Sequence, residues 1–298
     1  MKRTTILIAL AIAAMLPLLQ SCNNFNDAAV RLAKEEGRPR YLRDSDKWGK
    51  VVKKTYDLGN FNSIRTIGNI DVVYVQGESD ETSILVEGNE KVLTLYYFKI
   101  TGAEKNWLEV GAKDKKMIKQ VPHIRVTVSM PILEAVEING AGDFYMRQPT
   151  EFIDGALSLW INGAGDIKIN DLSCTAFNVV INGAGDLDID KLATDESIAF
   201  TINGAGDAYI KEAKTLGLAS VAINGAGDFK SKIDCEDLKV SVLGAGEAKI
   251  EVKSQTVDAV AEGTGEIELK GTTHSFSKQT GGLAKIDSKK LQTDTIKR

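Results

Sequence analysis

The chain has 298 residues, of which 43% are hydrophobic and 26% charged, with three cysteines and five prolines. That make-up excludes a disordered chain and a disulfide-stapled miniprotein. Its 37 Lys and Arg stand against 41 Asp and Glu, net −4, with no basic tract, so nucleic acid is not an expected partner.

The first feature along the chain is the apolar run Thr4 to Leu19, behind Lys2 and Arg3. It is too short to span a bilayer comfortably and has the basic leader of a signal peptide. The run ends in Leu19-Gln20-Ser21-Cys22, which resembles a bacterial lipoprotein signal. The resemblance implies cleavage of residues 1–21 and acylation of Cys22. Leu19 and Ser21 fit that pattern, while Gln20 is a less usual occupant of its place. An ordinary secretory signal with a chance cysteine is the alternative. Cleavage would leave 35 basic against 41 acidic residues, net −6. Each buried acyl methylene adds about 0.8 kcal/mol of membrane affinity, so such a chain is anchored rather than spanning. By resemblance to sorting in Gram-negative bacteria, Asn23 lacks the aspartate of inner-membrane retention. Asn23-Asn24-Phe25-Asn26 lacks an acidic surface-export tag. The outer membrane is the implied site, with the leaflet left open.

Residues 22–52 are polar and read as a tether, with a short amphipathic helix around Asp27–Glu36 and then Gly37-Arg38-Pro39. Strand-like patterns follow: Phe61 to Ile67, Ile70 to Val75, Ser83 to Val86, Val92 to Ile100, Trp107 to Val110 and Ile124 to Ser129. The charged stretch Lys113 to Lys119 reads as a solvated loop or hairpin. Ile67-Gly68-Asn69-Ile70-Asp71 looks like a worn copy of a motif that dominates the rest of the chain.

That motif, Asn-Gly-Ala-Gly-Asp, begins at Asn139, Asn162, Asn182, Asn203 and Asn224. A period of about 20 residues suits one circuit of a β-solenoid and is too short for helix-turn-helix repeats. The leucine-rich alternative lacks its Leu-x-x-Leu-x-Leu frame. Worn copies follow at Leu243 to Glu247, Glu262 to Glu266 and Gln279 to Gly282, as expected where a stack must be capped. Apolar residues alternate on both sides of each motif: Leu157, Leu159 and Ile161 before one, Ile167 and Ile169 after it. Period-2 alternation marks strands with one buried face. The expected architecture is therefore all-β: a parallel β-helix or solenoid over 53–298, with clean repeats at about 133–270. The corner glycines are expected to serve both φ > 0 and close approach of neighbouring coils.

Stacking at roughly 4.8 Å per coil would set Asn139, Asn162, Asn182, Asn203 and Asn224 in one amide ladder. The column Asp143, Asp166, Asp186, Asp207 and Asp228 must then splay into water, cap backbone amides or share cations. Glu247 and Glu266 hold the same place in later units. A likeness to the Gly-Gly-x-Gly-x-Asp turns of calcium-binding β-rolls makes these aspartates weak calcium candidates, although the period here is about twice as long. No other cofactor is expected. Cys174 and Cys235 occupy equivalent places three coils apart, on the order of 14 Å, so both are expected as free thiols.

Catalytic signatures are lacking. His123 and His274 show no recognisable partners in the sequence, and no nucleophile elbow, His-Glu-x-x-His or zinc pattern occurs. The densest acidic strand holds Asp186, Asp188 and Asp190 in one phase, the only hint of a polysaccharide-degrading or polysaccharide-binding β-helix with an acidic groove. Trp160 falls on the outward phase of its strand.

Tyr56 to Ile64, then Gly68 to Val75, then Pro131-Ile132-Leu133 leading into the repeated corners, resemble the head GIN domain family of auto-transporter adhesins over about residues 53–290. The resemblance implies a β-helical envelope protein with a binding role and brings no catalytic residues. Taken together, the expectation is a non-enzymatic, lipid-anchored envelope module. Its partners would be the membrane, through Cys22, and an envelope glycan or protein ligand, with oligomeric state left open.

Overall fold

The computed structural model describes residues 42–77, 82–103, 106–114, 116 and 121–293. Cys22, the expected signal peptide and the expected helix at Asp27–Glu36 lie outside them. The first part of the fold contains β1 (Val51–Tyr56), β2 (Ser63–Gly68), β3 (Ile70–Gln76), β4 (Ser83–Asn89), a helical turn α1 (Glu90–Leu93), β5 (Tyr96–Thr101), β6 (Trp107–Ala112) and β7 (Ile124–Met130). The regular part contains β8 (Ala135–Gly140), β9 (Phe144–Met146), β10 (Thr150–Ile161), β11 (Ile167–Ile181), β12 (Leu187–Ile202), β13 (Ala208–Thr215), β14 (Leu218–Ile223), β15 (Phe229–Asp234), β16 (Asp237–Val242), β17 (Glu247–Ala261), β18 (Glu266–Thr280) and β19 (Lys285–Thr293).

From β8 onward each strand pairs in parallel with its counterparts one coil away. Ile161, Ile181, Ile202, Ile223, Val242, Ala261 and Thr280 thus form one continuous column. The alternation of the sequence is the cause. Leu157, Leu159 and Ile161 are buried, the residues between them are not, and Ile167 and Ile169 resume the inward phase after the corner.

The phase then slips, and each slip is a bend. Inward residues step from Ile169 to Leu172 and from Cys174 to Phe177, with outward residues between. A coil therefore has three buried runs: a first side before the Asn-Gly-Ala-Gly-Asp corner, a second side after it, and a short third side ending near Cys174. Phe177, Phe200 and Phe229 pack in series within this core, the first pair edge-to-face and the second tilted, with ring centroids 6.0 and 5.1 Å apart.

The base departs from sequence order. β2 lies between β6 and β8, and β3 between β7 and β9, all parallel. The coil formed first is thus sandwiched between two formed later. Below β7, β4 and then β1 add antiparallel strands, while β5 adds one below β6. The stretch Val92 to Ile100, expected as one strand, begins instead as the helical turn α1, with Val92 and Leu93 buried against the core. Packing also starts earlier than a tether ending at 52 would require. Leu42 is buried, and the Asn89 amide donates to the carbonyls of Arg43 and Gly49 at 2.8 Å each.

At the opposite end burial lapses. Ile286 and Leu291 in β19 are only half-buried and Leu283 is exposed. Among the described residues, no helix is long and apolar enough to cross a membrane.

Candidate functional site

The corners stack in single file. Each corner alanine N–H donates to the first glycine carbonyl of the coil below: Ala184 to Gly163 at 2.9 Å, Ala205 to Gly183 at 3.0 Å and Ala226 to Gly204 at 3.0 Å. None of the ten glycines in the five full motifs takes a left-handed φ; among corner glycines those that do belong to worn copies, Gly68, Gly263 and Gly282. The expectation that these glycines serve a positive φ is thereby corrected. Their reason is close approach, since a Cβ at Gly204 would lie 1.9 Å from the carbonyl oxygen of Gly183.

The amide ladder forms as the repeats require. Asn162 donates to Asn139 at 3.0 Å, and Asn182, Asn203 and Asn224 each donate to the asparagine below at 2.8 Å. Asn139, at the foot, donates to Glu137. Of the three ways open to the aspartate column, the structure takes the second, in an inter-coil form. The backbone N–H of Asp166, Asp186, Asp207 and Asp228 donates to Oδ1 of the aspartate one coil below, and Glu247 continues the series onto Asp228. Among the described residues, no group of three His, Cys, Asp or Glu could hold a metal ion.

The column continues downward to a residue that its own motif hardly announces. Asp71 accepts from the Asp143 N–H at 3.1 Å and also faces His123 Nδ1 at 3.1 Å. His123 thus has a partner after all. The signal available was the worn motif ending in Asp71, but nothing in sequence order placed residue 123 beside it. The hydrogen bond that Asp71 accepts raises the His123 pKa, burial opposes this, and the charges of Asp71 and Asp143 add to the rise. Tyr145 donates to Asp143 at 2.8 Å, beneath the Arg147 guanidinium.

Cys174 and Cys235 are free and buried. They stand in one column with Thr194 and Thr215 between them, three coils apart. Burial pushes both thiols up to about 12, which removes them as nucleophiles at neutral pH.

The third side carries a groove of about 980 Å³ running from Gln76 and Glu151 to Gly271 and Thr272. Along it Asp171, Lys191, Glu212, Lys232 and Glu251 rise coil by coil with alternating sign, and Lys270 continues the column beyond it. Lys270 lies 3.0 Å and Lys232 3.8 Å from the carboxylate of Glu251. A second column, Ser173, Ala193, Lys214, Asp234, Lys253 and Thr272, borders the first. Beside its lower end a hollow of about 310 Å³ is rimmed by Ile153 and Leu216, which are 74% and 63% exposed.

Asp186, Asp188 and Asp190 are exposed on the second side and do not line the groove. The acidic groove of the polysaccharide reading is thus corrected to one of mixed charge. Trp160 is half-buried on the first side, with the uncharged Val180, Thr201, Ala222, Ser241 and Val260 above it in its column and the charged Glu137, Arg65 and Glu109 below.

A stacked β-solenoid with a long mixed-charge groove defines a scaffold that presents surface. The chain belongs to the family described as "Putative auto-transporter adhesin, head GIN domain", whose model matches residues 60–230 and 214–297. That relation makes it an adhesin-like protein of the cell envelope. Solved structures of similar shape include a putative adhesin from Bacteroides fragilis NCTC 9343, 21% identical, TM-score 0.59, covering 80% of this chain and 96% of that one. A putative adhesin from Parabacteroides distasonis ATCC 8503 is 18% identical, TM-score 0.67, covering 80% and 97%. A structure titled a putative lipid binding protein, from the same organism, is 18% identical, TM-score 0.67, covering 80% and 96%. At these identities the likeness shows the fold alone. No curated protein matches the chain.

Proposed function

We propose that the chain is a non-enzymatic, lipid-anchored binding module of the outer membrane that holds an extended envelope ligand along its third side. The observation that carries this reading is the groove, whose lining repeats at each coil, a shape suited to a linear glycan or an extended peptide rather than to a compact substrate. The family relation supports an adhesive role, and the Leu19 to Cys22 signal supports the anchor. A polysaccharide-degrading activity has weaker support, because the groove acids alternate with lysines and the two histidines do not line it.

The test is binding of the purified protein to envelope glycans and peptides, with Lys191→Glu and Ala193→Trp as groove variants. Retained ligands that both variants lose would support the reading. Cleavage products, or ligands untouched by either variant, would sink it. Mass spectrometry of the native N-terminus tests acylation of Cys22 separately.

A further inference from the structure

The base of the solenoid differs in chemistry from its coils. Residues 126–298 carry 17 Lys and Arg against 26 acids, whereas residues 41–125 carry 14 against 12. The acidic coils therefore sit on a basic foot. At that foot, among the described residues, β1 pairs with β4 alone and β5 with β6 alone, so the outer edges of both strands form the bottom of the described fold. Tyr56 of β1 and Phe98 of β5 stack across it with centroids 4.4 Å apart. Trp48 is half-buried nearby, with the Lys47 ammonium 4.6 Å from its ring. Lys47, Lys50, Lys54 and Lys91 are exposed on the same segments, interspersed with the exposed Asp44, Asp46, Asp57 and Glu90.

We propose that this base is a second membrane contact, docking on a lipid surface that carries anionic headgroups. Half-buried aromatic rings with lysines beside them suit the boundary between headgroups and water. A second copy of the chain fits less well, because base-to-base pairing would oppose like charges and edge lysines resist strand addition. The entry of the chain agrees. Leu42 is held at the foot, only 20 positions after Cys22 in the sequence. A lipid on Cys22 would thus bring the base, and not the open upper end, to the surface. The inference rests on the anchored reading for its setting, but the lipid contact itself needs no acyl chain.

The test uses the chain from Asn23 onward, which contains every described strand and no acylation site. Co-sedimentation with vesicles containing phosphatidylglycerol is expected to be about tenfold stronger than with phosphatidylcholine alone, and to vanish at high salt. The double reversal Lys50→Glu with Lys54→Glu should abolish the preference. The equal charge change Lys211→Glu with Lys230→Glu, on the coils, should leave most of it. Lys47→Glu alone should weaken binding in the same direction, a check independent of how the double variant folds. Absence of binding, equal binding to both vesicles, or equal loss in both double variants would overturn the proposal. None of these outcomes bears on whether native Cys22 is acylated.

Discussion

The backbone N–H of Asp207 donates to Oδ1 of Asp186 in the coil below, at 2.9 Å, and Oδ1 of Asp207 accepts in turn from Asp228 at 2.8 Å. A side chain thus replaces the carbonyl acceptor that regular strand pairing would supply, at the point where the corner turns the backbone away. The repeated acid is explained by an oxygen acceptor and not by its charge. Asp207→Ala should cost about 1 kcal/mol by stranding the Asp228 N–H. Asp207→Asn keeps an acceptor and should cost clearly less. Urea unfolding of the two variants checks this, and equal losses would contradict the acceptor argument.

Gly204 tests the close approach of coils. A β-carbon there meets the Gly183 carbonyl oxygen, the same oxygen that accepts from Ala205. Gly204→Val must push two coils apart and break that bond, a change in the severe class of roughly 4 kcal/mol or more. Lys211→Ala, on an exposed side chain, should change stability by about 0.5 kcal/mol or less. Thermal melts decide it: equal melting temperatures would refute the role assigned to the corner glycine.

These two residues also mark what the sequence could convey. The file of corners, the asparagine ladder and the column of Cys174 and Cys235 follow from a constant period, because strand spacing turns equal sequence intervals into vertical neighbours. The base obeys no such period. The step from Thr66 to its parallel partner Ile138 is 72 residues, and the coil of β6 and β7 was inserted beneath, so the pairing of His123 with Asp71 was invisible. The groove escaped for another reason. Its alternating charges fall one per coil at the bend before Leu172, where the apolar phase slips by a residue. Strict alternation marks only the exposed acids Asp186, Asp188 and Asp190.

The His123 contact predicts a pH dependence of stability. Because its folded pKa is raised above the ordinary value of 6.5, chiefly by Asp71, the charged pair contributes fully below about pH 6.5. The contribution is lost as pH rises through the higher folded value. The wild-type protein should therefore lose melting temperature between pH 6 and pH 8 relative to His123→Asn. Parallel profiles for the two proteins would contradict the pairing.

Cys174 and Cys235 should resist both oxidation and alkylation. Three coils separate them, far beyond the reach of a disulfide, and burial holds each thiol up to about 12. In native protein kept under air, both are expected to remain unmodified by iodoacetamide for hours and to label together once guanidinium unfolds the chain. Rapid labelling of either residue under native conditions would show that its side opens.

Calcium is the remaining option for Asp143, Asp166, Asp186, Asp207 and Asp228. Calcium takes six to eight oxygens at about 2.3–2.6 Å, so neighbouring carboxylates would have to converge on it. Here Oδ1 of each aspartate is already engaged by a backbone N–H of the next coil. Turning a carboxylate toward a cation would strand that N–H and loosen the stack, so binding would work against the contact that holds the corners in file. Titration of chelator-treated protein with calcium is expected to give no heat and no thermal shift. A saturable rise in melting temperature that Asp186→Asn and Asp207→Asn remove would show that the cation competes successfully for those oxygens.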